Sequence, residues 1–250
     1  MFKKTVEGVR KFLENVFGNN SLEVEVSTTL EDKLTELPEE RQEAIIEEAK
    51  ELIKKEDGLM HMSKEGLADI VQSESITTTK YRDSAGVWTI GVGATKSEIR
   101  DLRTWPADKK LSLEEVFELL HKGIKKYSKG VREALEVEVS QHMFDGLVSF
   151  AYNVGVGGMK GSSLIRAINR GVTDKKTLKA YLMRWNKITV RGQKVVSRGL
   201  VNRRKKEAHV MFDANYLNKK MIGRVIPVNS KSKPMYRSKR AYTIDLNKYL

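Results

Sequence analysis

The run Glu74-Ser75-Ile76-Thr77-Thr78-Thr79-Lys80-Tyr81-Arg82-Asp83-Ser84-Ala85-Gly86-Val87-Trp88-Thr89-Ile90-Gly91-Val92-Gly93-Ala94-Thr95 decides how this chain is read. Glu74 closes an amphipathic segment that begins near Ser63, a good helix cap, and carries Leu67, Ile70 and Val71 on one face. From Lys80 to Thr95, β-branched and aromatic residues flank the turn Asp83-Ser84-Ala85-Gly86, which is the pattern of a hairpin. A helix feeding directly into a hairpin sets one carboxylic acid at a helix end and a second in a turn.

That pair suggests a chemistry. Glycoside hydrolysis needs one carboxylic acid to protonate the leaving oxygen and a second carboxylate, or a water it activates, on the other face of the sugar. Partial burial at a helix end would keep Glu74 protonated as the acid, while a solvated turn would leave Asp83 ionised. With 33 acidic residues in the chain, a helix-end Glu near a turn Asp is also an ordinary solvated surface pair, and spacing alone leaves both readings open.

Outward from this run, Leu111 to Phe212 is almost wholly helical in period, with breaks at Gly155 to Gly161, at Gly171 and around Arg191 to Gly199. The architecture expected is α+β: a small hairpin lobe followed by a larger helical lobe.

Read together, these runs resemble the phage-type lysozymes, the muramidases of glycoside hydrolase family 24. The resemblance rests on Glu74, then Tyr81-Arg82-Asp83 nine residues on, then Thr89-Ile90-Gly91-Val92-Gly93. It continues through Phe144-Asp145-Gly146-Leu147-Val148-Ser149-Phe150-Ala151-Tyr152-Asn153-Val154-Gly155, Gly161-Ser162-Ser163-Leu164, Arg184-Trp185 and Gly199-Leu200-Val201-Asn202-Arg203-Arg204, all in the family's order. It covers about residues 63 to 213.

The resemblance implies cleavage of the β-1,4 bond between N-acetylmuramic acid and N-acetylglucosamine. Glu74 would be the general acid, Asp83 the partner that activates or positions water, and Thr89 the residue that holds that water. Tyr152, Asn153, Ser162 and Ser163 match positions along the sugar cleft, and Arg203 matches an arginine that pairs with the acid. Members of this kind invert the anomeric centre, which requires carboxylates roughly 6.5 to 9.5 Å apart. Tyr152 and Trp185 also read as plain core aromatics. Two positions depart from the pattern: Ser75 stands where the family usually has Gly, and Ala94 where it usually has His.

Charge divides the chain into three zones. The whole carries +13, which points to an anionic partner, nucleic acid or a bacterial wall. Residues 1–57 hold about nine Lys/Arg against fifteen Asp/Glu, and residues 214–250 about nine against one. We expect an acidic N-terminal appendage (1–57), a catalytic domain (58–213) and a basic C-terminal tail (214–250). In the appendage, Phe2, Val6, Val9, Leu13, Val16 and Phe17 recur at helical spacing, Leu22 to Val26 alternates like a strand, and Glu39 to Lys55 reads as an acidic helix. The tail interleaves Tyr236 and Tyr242 with Lys and Arg. It reads as a nucleic-acid arm, a solvated tail or a docking arm, and the wall reading is preferred to the nucleic-acid one. Because the motifs lie inside 58–213, that segment is expected to fold and act alone.

There is no cysteine, hence no disulfide framework or thiolate site. His61, His121, His142 and His209 lack metal-ligand spacing, and Gly155-Val156-Gly157-Gly158 leads into no phosphate-binding Gly-Lys-Ser/Thr step, so neither metal nor nucleotide cofactor is expected. No apolar run is long enough to span a bilayer, and Met1 to Glu7 does not resemble a signal peptide. Peptidoglycan is the expected substrate, with phage tail or virion proteins as further partners through the ends of the chain. The expected location is host cytoplasm before holin-dependent release, or the virion.

Overall fold

The computed structural model describes residues 38, 40–44, 47, 58–83, 86–190 and 192–250. The chain divides into two compact units, residues 1–60 and 61–250. In the first, residues 40–44 and 47 are helical; the helix expected over residues 2–17 and the strand over 22–26 lie outside the described residues.

The second unit runs α1 (Lys64–Glu74), β1 (Thr77–Arg82), β2 (Trp88–Gly91), α2 (Leu113–Arg132), α3 (Gln141–Val154), α4 (Val156–Lys160), α5 (Ser163–Asn169), α6 (Lys175–Met183), β3 (Lys187–Val190), β4 (Gln193–Val196), α7 (Arg198–Asp213), β5 (Ile222–Val225) and β6 (Tyr242–Asp245), with a 3-10 turn over Leu246–Lys248. The strands make three separate antiparallel pairs, β1–β2, β3–β4 and β5–β6. The α+β expectation holds: small hairpins border a helical body.

Helix starts follow local chemistry. Ser63 accepts from Gly66 N–H at 3.1 Å to cap α1. Ser112 and Glu115 form a reciprocal capping box on α2, with Glu115 N–H on Ser112 Oγ at 3.1 Å and Ser112 N–H on Glu115 Oε2 at 2.7 Å. The core is built around α3, whose Phe144, Leu147, Val148, Phe150 and Ala151 are essentially inaccessible. Gly146 lets α7 approach it closely, for a Cβ there would stand 2.2 Å from Met211 Cγ.

Two features differ from the sequence reading. The break expected around Arg191 to Gly199 is largely a hairpin, β3–β4, whose Ile188, Val190, Val195 and Val196 are exposed, so burial gave no alternating signature. The supposed tail is not separate: residues 214–250 belong to the same unit as 61–213. Ile76 pairs with Val225 in a parallel bridge. Leu217 and Asn218 donate backbone N–H groups to Asp69 Oδ1 at 3.0 and 2.7 Å. The Tyr216 hydroxyl donates to the buried Asp145 at 2.6 Å, and Tyr249 stacks on Phe117 with ring centroids 4.8 Å apart. Val225, Ile226 and Leu246 are core residues. The basic charge lies on the outer face of a segment whose inner face is apolar and hydrogen-bonded.

A chain ending at Asp213 is therefore expected to lose stability rather than fold unaided. Each buried acceptor left unpaired costs about 1–3 kcal/mol. The melting temperature should fall by more than about 10 °C against the full chain, given about 2–4 °C per kcal/mol at this size. Thermal unfolding by circular dichroism measures this, and an unchanged midpoint would restore the independent 58–213 domain.

Candidate active site

Glu74 is the last residue of α1, so the helix axis and the turn that follows fix where its carboxylate stands. That turn is strained. Ser75 has φ +64° and ψ 172°, a region natural to glycine and costly for any residue with a Cβ. The sequence departure at Ser75 thus falls where the backbone asks for Gly. The strained turn is pinned on both sides by Ser75 N–H on Val71 O and Ile76 N–H on Arg224 O, each at 2.9 Å.

On the far side, α7 brings Arg203 to Glu74: Arg203 Nη1 donates to Glu74 Oε1, and the two side chains are 13% and 24% exposed. Arg203 Nε also donates to Glu207 Oε1 at 3.3 Å. Burial works against the charge on Arg203, but the Glu74 and Glu207 carboxylates outweigh it and hold the guanidinium firmly protonated. Glu207, almost wholly buried, is pushed up by desolvation against the pull of Arg204 and Arg203. Arg204 lies 2.7 Å from Glu207 Oε2 through Nε, and its Nη2 donates to Asn153 Oδ1 at 2.7 Å.

The hairpin supplies the other face. Gly93, with φ +91°, leaves open the space before the acid: a Cβ there would stand 3.6 Å from both Glu74 Oε2 and the Tyr152 hydroxyl. Tyr152 donates to Val92 O at 2.5 Å and meets Tyr127 edge-on with centroids 5.0 Å apart. Burial, then the charges of Glu74 and Glu98, hold its phenol well above the usual range, so it stays a donor. Asp83 closes the hairpin turn by accepting Val87 N–H at 2.8 Å, and Asp83 N–H donates to Val87 O at 3.0 Å. Thr89, 4% exposed, pairs across the hairpin with Tyr81 and donates its hydroxyl proton to Val87 O at 3.2 Å. Tyr81 is pushed up by burial and by the neighbouring Tyr236, Glu74 and Asp83, which places it in the electrostatic reach of both carboxylates.

The structure thus gathers Glu74, Arg203 and Tyr152 around Gly93, with Asp83 and Thr89 on the adjoining hairpin. It treats the remaining sequence candidates differently. Asn153 is held by Arg204. Ser162 is 1% exposed and its hydroxyl caps α5 by accepting Ile165 N–H at 3.2 Å; a buried cap has no surface to offer a sugar. Ser163 accepts from Arg166 Nη2 at 3.2 Å.

Sequence reasoning missed Lys80. Its ammonium, 6% exposed, donates to the carbonyls of Arg103, at 2.9 Å, and Trp105, tying β1 to the loop before α2. It also stands 4.5 Å from the Trp88 ring centroid, with the Arg82 guanidinium 4.4 Å from the same centroid. A lysine in a β-branched strand gives no sign in sequence that it is buried.

A hairpin lobe set beside a helical body, with carboxylates on the last helical turn and in the hairpin loop, defines a protein of the lysozyme fold. The chain belongs to the phage lysozyme family, whose sequence model matches residues 71–207. It is 35% identical over 150 residues to the endolysin of Bacillus phage B103, covering 59% of this chain and 52% of that one. It is 35% identical over 141 residues to the SAR-endolysin of Pseudomonas phage phiKMV, covering 56% of this chain and 82% of that one. The solved endolysin from Escherichia coli O157:H7 phage FAHEc1 superposes with a TM-score of 0.58 at 35% identity, covering 64% of this chain and 99% of that one. The chain spans about half the length of the first two curated relatives it matches, 52% and 54%.

The strain at Ser75 yields a direct test. Ser75→Gly is expected to stabilise the protein by about 1 kcal/mol or more, by relieving the left-handed conformation. Denaturant unfolding measures it, and a destabilised variant would show that the serine side chain holds the turn.

Proposed function

We propose that this protein is a peptidoglycan hydrolase, a muramidase cleaving the β-1,4 bond between N-acetylmuramic acid and N-acetylglucosamine. The observation that carries this reading is the Glu74 carboxylate held by Arg203 on one side and open toward Gly93 and Tyr152 on the other, in a chain of the phage lysozyme family.

Glu74 donates its proton to the glycosidic oxygen as the bond to C1 breaks. A water attacks C1 from the opposite face and passes its proton to Asp83, which inverts the anomeric centre. Thr89 fits the water-holding role in one sense only. Its proton is committed to Val87 O, so toward water its hydroxyl acts as an acceptor and turns the water's lone pair outward. Arg203 is a positioning residue, fixing one oxygen of Glu74 so that the other faces the cleft.

Among the described residues no helix is long and apolar enough to cross a membrane. Two routes would bring the enzyme to the wall: holin-dependent release from host cytoplasm at lysis, and carriage in the phage particle with the ends of the chain docked on tail or virion proteins. Looking for the protein in purified virions separates them. The nucleic-acid reading of the basic C-terminal residues is not favoured, because they are paired to the body by backbone bonds rather than standing off as an arm.

Purified protein is expected to release reducing ends from peptidoglycan, with the product anomer opposite to the substrate's by proton NMR. Glu74→Gln should lower the rate by more than about a hundredfold at unchanged melting temperature, since the amide keeps the shape but has no acid proton. A variant keeping more than about a few per cent of activity would remove Glu74 from the acid role.

A further inference from the structure

Residues 222–240 lie outside the 71–207 segment that matches the family, yet they run beside the segment carrying both carboxylates. Ile76, two residues past Glu74, donates N–H to Arg224 O at 2.9 Å and accepts from Ile226 N–H at 2.7 Å. Arg82, one residue before Asp83, donates to Ser232 O at 2.9 Å. The chain then doubles back on a turn held by its own groups: Asn229 N–H on Lys233 O at 2.9 Å, the Asn229 side-chain oxygen on Lys231 and Lys233 N–H at 3.0 Å, and a bridge between Val228 and Pro234. Met235 N–H closes it on Pro227 O at 2.8 Å. Such a turn has little freedom, and it delivers Met235 and Tyr236 to the flank of the hairpin.

Both residues are open there, Met235 at 41% and Tyr236 at 52%, in a run, residues 230–240, otherwise made of Lys, Arg, Ser and Pro. The Tyr236 phenol is raised first by burial and then by the charge of Glu74, and the buried Tyr81 feels Tyr236, Glu74 and Asp83 together. The exposed ring thus stands in the field of the acid, anchored by backbone bonds at both ends of β1.

We propose that residues 228–240 form an added wall of the substrate cleft, with Tyr236 as a stacking platform for one sugar of the glycan strand. A pyranose ring has an apolar C–H face and a polar rim, and a half-exposed aromatic ring with a fixed backbone offers that face a flat partner at little entropic cost. Around it Lys231, Lys233, Arg237, Lys239 and Arg240 provide a positive surface for the carboxylates that a peptidoglycan strand carries on its stem peptides. The wall is a specificity element: it favours a strand long enough to reach past the cleaved bond. This rests on the glycosidase reading above.

The test uses the full chain as wild type, Tyr236→Ala, Tyr236→Phe and Tyr236→Trp, with purified peptidoglycan as the probe. Tyr236→Ala should raise KM about tenfold, the loss of one stacking partner, while kcat stays within about twofold. Tyr236→Phe and Tyr236→Trp should stay within about threefold of wild type, because stacking needs the ring and not the hydroxyl. Sedimentation of Glu74→Gln with peptidoglycan, alone and combined with Tyr236→Ala, reads the platform without turnover, and the double variant should bind about tenfold more weakly. If the wild type cleaves and Tyr236→Ala matches it in KM, or if Tyr236→Phe is as impaired as Tyr236→Ala, the platform is overturned and the glycosidase reading stands. If the wild type does not cleave, the glycosidase reading falls and the sedimentation pair alone decides the platform.

Discussion

The double grip of Arg203 organises everything around the site. One guanidinium bonds Glu74 at the end of α1 and Glu207 within its own helix α7, so the candidate acid is tied to the middle of the helical body. An unpaired carboxylate as buried as Glu207 would carry a desolvation cost of several kcal/mol. Arg204 meets that demand from one side and Arg203 from the other, and Arg204 reaches on to Asn153 of α3. Glu74, Arg203, Glu207, Arg204 and Asn153 of the central helix form one connected polar chain through an apolar core. A shift of α7 against α3 would move Glu74, and Gly146, where only a hydrogen fits beneath Met211, sets how closely those helices lie.

Much of this was legible in the sequence because the chemistry sits in short contiguous runs. The cap at Ser63, the helix ending at Glu74 and the turn at Asp83 are local signals, each with its own residue-level cause. The pairing of Arg203 with Glu74, 129 residues apart, followed only from the family resemblance, since nothing in spacing brings α7 to α1. Ser162 shows the opposite failure: it sits in a matching motif, but its hydroxyl is used as a helix cap and buried.

The packing of the C-terminal residues is hidden in the sequence for a physical reason. Nine basic residues and one acidic one look like a solvated tail when counted, yet charge says nothing about the backbone, and the residues that hold this segment are its N–H groups and a few apolar side chains. Val225, Ile226 and Leu246 are too sparse to show a period. The exposed β3–β4 hairpin escaped notice in the same way, because alternation carries information only where one face is buried.

The pairing of Asp69 with Leu217, 148 residues later, also says something about how the molecule comes into being. The first helix of this unit keeps an unsatisfied acceptor, and the first hairpin keeps bare backbone groups at both ends of its outer strand, until residues 217–232 have been synthesised. Contacts of such long separation are formed late, after the loop between them has been closed. During synthesis the helical body can therefore collapse before residues 217–232 arrive to pair with α1 and with the β1 strand.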